Sequence, residues 1–467
     1  MAAVGTHHLR TSRAITLRGG VLGDLSTVRV AVVVGLITGL AALLGTVGAD
    51  SRWLAALGRI IVHRGSVPTG IPFAAAPTAH WPNTLVLAEL VFHGLESAFG
   101  DRGLILAQLA AVAITLSVLA IDARAGGGDS FQVTGALALA SLGSLASLAV
   151  ARVQLFSLVL FALLLALLRA DERSPSARIY LALPLLALWS NLHGAALLGM
   201  GILWTYLAFA RLREEPTTAL AIALLSPVAL CLTPAGIHTI DYYRGLLTNV
   251  AAQRGVDLWA PLGTGPLDLL MIVCAIALIV RLRHEHPRLW EIVLIAALAV
   301  LTVKAGRNGV WLLLFLVGPA CRRERATPIR REWGGLLPVG AALALALLVI
   351  GVARPPIRAR VEESLVNRAL ALAHGTPILA DGIPAEQVAL AGGRIWVGNP
   401  IDAFSHHTQG VYLNWLDGEA GGRAALANRT ISVVLVTRGS AAQALAEADR
   451  AFTVLARDRT GAIYVRR

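Results

Sequence analysis

Long apolar runs separated by short arginine-bearing segments fill the chain up to about Arg354. The runs cover residues 27–49, 84–100, 103–121, 153–168, 179–192, 194–210, 217–233, 265–282, 289–303, 309–321 and 334–353. A helix needs roughly 20 apolar residues to cross a bilayer, so they predict a mainly α polytopic membrane protein with about 11 transmembrane helices. Two stretches disturb the pattern. The run 84–100, read as a crossing, carries Glu89, His93 and Glu96. Residues 131–151, rich in Gly, Ser and Ala, would as a crossing put the arginines of 169–178 on the wrong side, so they read as a re-entrant pair of short helices broken near Gly143.

Beyond Arg354 the pattern changes to short β-like runs at 377–380, 394–397, 431–436, 452–456 and 462–465, with helical stretches at 359–373 and 440–450. Alternating strand and helix predicts a small C-terminal α/β domain with a largely parallel sheet, closed by a terminal hairpin. It carries no GxGxxG and no Walker motif. The expected division is a cytoplasmic N-terminus over 1–26, a transmembrane domain over 27–353 with an external loop at 50–83, and an extracytoplasmic α/β domain over 354–467.

Composition agrees with the pattern: 56% of the 467 residues are hydrophobic and 15% charged. The net charge of +12 does not indicate nucleic acid, because the arginines concentrate in 1–26, 169–178, 211–215, 281–288 and 322–332. The positive-inside bias puts those segments in the cytoplasm, in a multi-pass protein of the cytoplasmic (inner) membrane with its N-terminus inside and its C-terminal domain outside. Arg10, Arg13 and Arg18 ahead of the first run have the order of a secretory signal, but the run exceeds a signal core and is read as an uncleaved helix. Cys231, Cys274 and Cys321 are isolated and frame neither a disulfide network nor a metal site.

Polar residues at the external ends of the runs carry the candidate chemistry. Asp50 closes the first run in GADSRW. An acid at a membrane exit can serve as general base toward an acceptor hydroxyl, and a solvated loop aspartate looks the same in sequence. The loop 50–83 carries Arg59, His63, Arg64 and His80, positive although external. Arginine there suits a phosphate-bearing ligand; anchoring to lipid headgroups explains it as well. Trp189, Asn191 and His193 in LWSNLHG form either a binding cluster or a tight turn under an aromatic belt, and turn chemistry accounts for Asn and Gly better than for His. The loop 234–261, with Tyr242, Tyr243, Asp257 and Trp259, has the mixture of rings and charges of a saccharide surface, and equally of an interfacial belt. Lys304, the only lysine, and Arg307 are two cations that hold a lipid-linked phosphate or snorkel from helix ends. Asp402, His406 and His407 match no metal-ligand spacing and read as structural or surface residues.

The order of these pieces resembles a known family. A signal-anchor run ending in an acid, DSRWLAALGRIIVHRGSVP, HWPNTLVLAEL, ARVQLFSLVLF, LWSNLHGAALLGMG, a DLWAP loop and an α/β tail with GGRIWVGNPIDAF are similar to bacterial relatives of the GT-C superfamily of membrane glycosyltransferases. The resemblance implies an external cavity with Asp50 as catalytic base, Arg307 and Lys304 at the donor phosphate, and His193 at donor or acceptor. With Asn191, Trp189, Arg59, Arg64 and Asp257 these make up the expected substrate-binding set. The chain departs from better-known members in having one acid in the first loop, not an acidic pair, which leaves no clear ligand set for a divalent metal. The implied activity moves a sugar from a polyprenyl-phosphate donor to an envelope glycan, lipid or protein acceptor. The alternatives are a transporter or flippase of lipid-linked intermediates, and a non-catalytic membrane assembly protein.

Overall fold

An apolar helix, α1 (Leu25–Leu44), opens the described part of the computed structural model, which comprises residues 25–78, 81–282, 287–322, 337–354 and 361–467. The arginines before residue 25 and at 323–332 lie outside the described residues. After α1 come β1 (Thr46–Val47), α2 (Ser51–Arg64), α3 (Val86–Phe99) and α4 (Asp101–Ala125). The chain continues through α5 (Ser130–Gly143), α6 (Leu145–Leu148), β2 (Val150–Ala151), α7 (Gln154–Arg173), α8 (Ala182–Ser190), α9 (Ala196–Tyr206) and α10 (Pro216–Leu230). Two short helices, α11 (Thr239–Thr248) and α12 (Val250–Arg254), precede α13 (Pro266–Arg281), α14 (Leu289–Lys304), α15 (Gly309–Cys321) and α16 (Leu337–Ala353). Among the described residues, Thr27–Leu44, Asp101–Ala125 and Gln154–Arg173 are long and apolar enough to cross a membrane, and several shorter apolar helices accompany them.

The two irregular stretches differ from expectation, and the differences offset each other. Residues 84–100 do not run the length of the bundle. Arg52 at the start of α2 pairs with Asp101 at the start of α4 at 3.1 Å, and the Ala88 N–H near the start of α3 donates to the Asn191 carbonyl at the end of α8. Both ends of α3 therefore lie at one end of the bundle, and the helix packs along α2, where Gly58 lets the backbones meet. Residues 130–151, in contrast, are not re-entrant. The Cys321 thiol at the end of α15 meets the Gln132 carbonyl in the first turn of α5, whereas β2 pairs in parallel with β1 at the opposite end, Thr46 with Val150 and Val47 with Ala151. Small residues permit this close passage; a Cβ at Gly143 would stand 2.7 Å from Leu313 and 2.9 Å from Cys274.

At the Cys321 end, buried charges are paired, as groups removed from water must be. Arg169 meets Asp122 at 2.9 Å, Arg173 meets the same carboxylate at 3.1 Å, and Arg211 meets Asp171 at 3.2 Å. The other end of the bundle carries the C-terminal domain.

That domain comprises α17 (Glu363–Ala373), β3 (Ile378–Ala380), α18 (Gly382–Leu390), α19 (His406–Leu416), α20 (Arg423–Ala427), β4 (Val433–Thr437), α21 (Ala441–Ala448), β5 (Phe452–Arg457) and β6 (Gly461–Arg466). Its four-stranded sheet has the order β3-β4-β6-β5. Only β3 and β4 are parallel; β6 runs antiparallel to both β4 and β5, so the sheet is mixed rather than largely parallel. The expected strand at 394–397 is reduced to bridges in which Ile395 joins Ile378 on one side and Ala74 on the other. Ile395 thus lays residues 73–76 of the first loop against the β3 edge, with the Ile395 N–H donating to the Phe73 carbonyl at 2.9 Å and Ala75 N–H returning a bond at 2.8 Å.

Candidate functional site

Where α1 gives way to α2, the backbone turns sharply. Asp50 has φ 81° and ψ −27°, a left-handed conformation that Asp tolerates better than most residues. Its neighbours fix the turn: Ser51 donates its hydroxyl to the Ala151 carbonyl at 2.8 Å, Arg52 forks onto both oxygens of Asp101 at 3.1 Å, and the Trp53 indole N–H donates to Asp50 Oδ1 at 3.1 Å. Trp53, Trp81 and Tyr242 stack edge to face beside it, at 6.4 and 6.5 Å between ring centres. Gly194 is required by this wall, because a Cβ there would stand 2.7 Å from the Tyr242 hydroxyl.

His193 sits in the turn between α8 and α9. The buried Trp189 indole N–H donates to Ser157 Oγ at 2.6 Å, and Ser157 Oγ lies 2.6 Å from His193 Nδ1. An indole nitrogen only donates, so Ser157 accepts from it, and the same hydroxyl links Trp189 to the imidazole in either tautomer. Burial, then the charges of Arg307 and Arg152, push His193 down to about 3, so the ring is neutral. Arg307 lies flat over Trp259, 3.8 Å from the ring centre, and is itself lowered to about 10 by burial and by Arg152. Both arginines lie within electrostatic reach of Asp50.

Further acids come from the C-terminal domain. Glu386 on α18 accepts the Asp50 N–H at 2.9 Å and Asn399 Nδ2 at 2.8 Å; burial and the Asp50 charge push it up to about 7. Asp402 accepts the Trp81 indole N–H at 3.0 Å and is raised by burial against that bond, with Asp50 adding a smaller push in the same direction. Burial and Asp402 hold the Tyr242 hydroxyl well above its usual range. Among the described residues no three His, Cys, Asp or Glu side chains are grouped to hold a metal ion.

Of the residues expected from sequence, Asp50, His193 and Arg307 come together. Trp189 stands behind His193, fully buried, and meets the site through its indole bond to Ser157 and through its carbonyl, which accepts the His193 N–H at 2.8 Å. Asn191 spends its amide hydrogens on the Ala187 and Leu232 carbonyls, at 2.8 and 2.7 Å, so it tethers two loops. Arg59 reaches the Ala389 carbonyl at 3.4 Å, and Arg64 and Lys304 are exposed at the ends of α2 and α14. Asp257 opens a short 3-10 turn, and its side chain lies outside the described residues.

No family model and no curated protein matches the sequence. Solved structures do. The chain superposes on ArnT from Cupriavidus metallidurans bound to undecaprenyl phosphate with a TM-score of 0.53 and 13% identity, covering 94% of this chain and 97% of that one. The apo state of the same protein gives the same score over 98% of its length. Arabinofuranosyltransferase AftD from Mycobacteria matches with a TM-score of 0.51 and 14% identity over 95% of this chain and 41% of the larger one. At 13–14% identity the likeness is one of fold, shared with these two proteins over most of this chain.

The sequence did not single out Arg152, Ser157, Glu386 and Asn399. Arg152 and Ser157 stand in the ARVQLFS segment, whose arginine interrupts an apolar stretch beside the β1–β2 pairing, and that interruption was the available signal. Glu386 and Asn399 had none, since they reach Asp50 only through the docking of a separate domain.

Proposed function

We propose that the protein is a glycosyltransferase that takes a sugar from a polyprenyl-phosphate donor and passes it to an envelope acceptor on the external face of the inner membrane. The observation that carries this reading is the convergence of Asp50 with Arg152, Arg307 and a neutral His193 at the bundle end that bears the C-terminal domain. The undecaprenyl phosphate bound by the structurally similar ArnT supports a donor of that class. The paired arginine cluster at the opposite end favours a cytoplasmic side there and an external side for the site.

In the reaction, the acceptor hydroxyl gives its proton to Asp50 and its oxygen bonds to the anomeric carbon. The bond from that carbon to the phosphate oxygen breaks, with inversion, and polyprenyl phosphate leaves. Arg307 and Arg152 compensate the negative charge that grows on the leaving group, and the neutral His193 ring offers its Nε2 for a hydrogen bond to the donor. A neutral imidazole bonds there without adding a third cation to the two arginines.

Purified protein incubated with radiolabelled polyprenyl-phosphate sugars and separated by thin-layer chromatography tests the reading. Label moving to an acceptor supports it. Donor that crosses a bilayer intact would identify a flippase instead.

A further inference from the structure

An aspartate at a helix N-cap ordinarily turns its carboxylate back onto the N–H groups of its own first turn. Asp50 does not. It makes no side-chain cap bond to α2, and its carboxylate accepts the Trp53 indole N–H at 3.1 Å instead. The capping is done by another residue, 336 positions away. Glu386, 1% exposed, accepts the Asp50 N–H at 2.9 Å through Oε1 and the Arg52 N–H at 3.4 Å through Oε2. Asn399 Nδ2 steadies Oε1 at 2.8 Å, and Arg59 ties the middle of α2 to the Ala389 carbonyl on the same helix as Glu386. A carboxylate at this position also meets the positive end of the α2 dipole.

We propose that Glu386 is the positioning residue of Asp50: by capping α2 from the C-terminal domain, it keeps the Asp50 backbone left-handed and its carboxylate in the site. The proposal rests on the reading of Asp50 as the general base. Without the Glu386 oxygen, the bare N–H groups at the start of α2 draw the nearest acceptor. That acceptor is Asp50 itself, which relaxes into the ordinary N-cap conformation and turns its carboxylate away from the acceptor hydroxyl. Donor binding, carried by Arg152, Arg307 and His193, is left in place.

The test uses the full-length protein in lipid nanodiscs, with Glu386→Gln, Glu386→Leu and Asn399→Ala variants, read by transfer kinetics and by amide hydrogen exchange. Gln keeps a carbonyl oxygen for the Asp50 N–H, so this variant is expected close to wild type. Leu keeps the bulk and loses the acceptor. Its kcat is expected to fall about tenfold, the scale of a lost N-cap, with the donor KM little changed and exchange faster at Asp50 and Arg52 alone. Asn399→Ala, which loosens Glu386 without removing it, is expected to lower kcat by a smaller factor; this variant decides the matter if the Leu substitution unfolds the domain. Wild-type kcat in both the Leu and Ala variants overturns the proposal, as does a Gln variant no better than Leu. A wild-type protein that transfers no sugar counts against the transferase reading, whereas unchanged exchange at Asp50 and Arg52 in the Leu variant counts against the cap.

Discussion

Asp50 is held in a conformation that asparagine also accepts, so Asp50→Asn separates chemistry from folding. The variant is expected to reach the membrane in normal amount and to lose transfer by roughly 100-fold to 10,000-fold, the range for a removed general base. Quantitative immunoblotting beside the transfer assay checks both halves, and retained transfer would end the role of Asp50 as base. Ser157 works at one remove, because its hydroxyl holds His193 Nδ1 at 2.6 Å and is held in turn by Trp189. Ser157→Ala leaves the imidazole free to rotate and is expected to slow transfer about tenfold, the scale of one neutral hydrogen bond. Single-turnover rates with saturating donor measure it. At this scale the sequence was partly legible. An acid at a membrane exit and a histidine in a turn stood out as chemically costly, but the serine behind the histidine looks like any other serine in an apolar helix.

The helices α2 and α3 show what decides an element's place. The run 84–100 is apolar enough to suggest a crossing, yet it packs on α2 because Gly58 offers a flat seat: a Cβ there would stand 2.1 Å from the Glu89 carbonyl oxygen. The obstacle is backbone and cannot rotate aside. Gly58→Ala is therefore expected to push α3 off α2 and to destabilise the protein by about 1–3 kcal/mol, the usual cost of overpacking, measured as a drop in the midpoint of thermal unfolding in detergent. The run 131–151 fails the other way. Its glycines and serines lower its hydropathy, and the same small side chains let it thread between α13 and α15. Hydropathy measures preference for lipid, and a helix buried among other helices is under no such demand.

In the whole molecule, the helical bundle and a small α/β domain were legible from the change of pattern near Arg354. The docking of that domain was not, since its contacts pair residues far apart in sequence: Ile395 with Ala74, Trp81 with Asp402, and the Val250 N–H with Gln409 at 2.8 Å. Docking also buries acids, which makes it sensitive to pH. Glu386 is raised from 4.5 to about 7 by burial and by Asp50, and Asp402 is raised as well. A raised carboxyl holds its proton more tightly when docked than when free. Docking is therefore strongest below about pH 4.5, weakens as pH rises toward 7 and is level in this respect beyond it. Melting midpoints of the solubilised protein are expected to fall between about pH 5 and 7, and to fall less in the Glu386→Gln variant. Equal slopes in the two proteins would remove Glu386 as the source.

The separation of 336 positions between Asp50 and Glu386 sets an order in time as well as in space. Asp50 leaves the ribosome first of the group, Arg152, His193 and Arg307 follow, and Glu386 emerges after all of them. A growing chain thus carries Asp50 for 336 residues of synthesis before the side chain that accepts its N–H exists. The contact forms only when the α/β domain has folded and come to rest on the first loop.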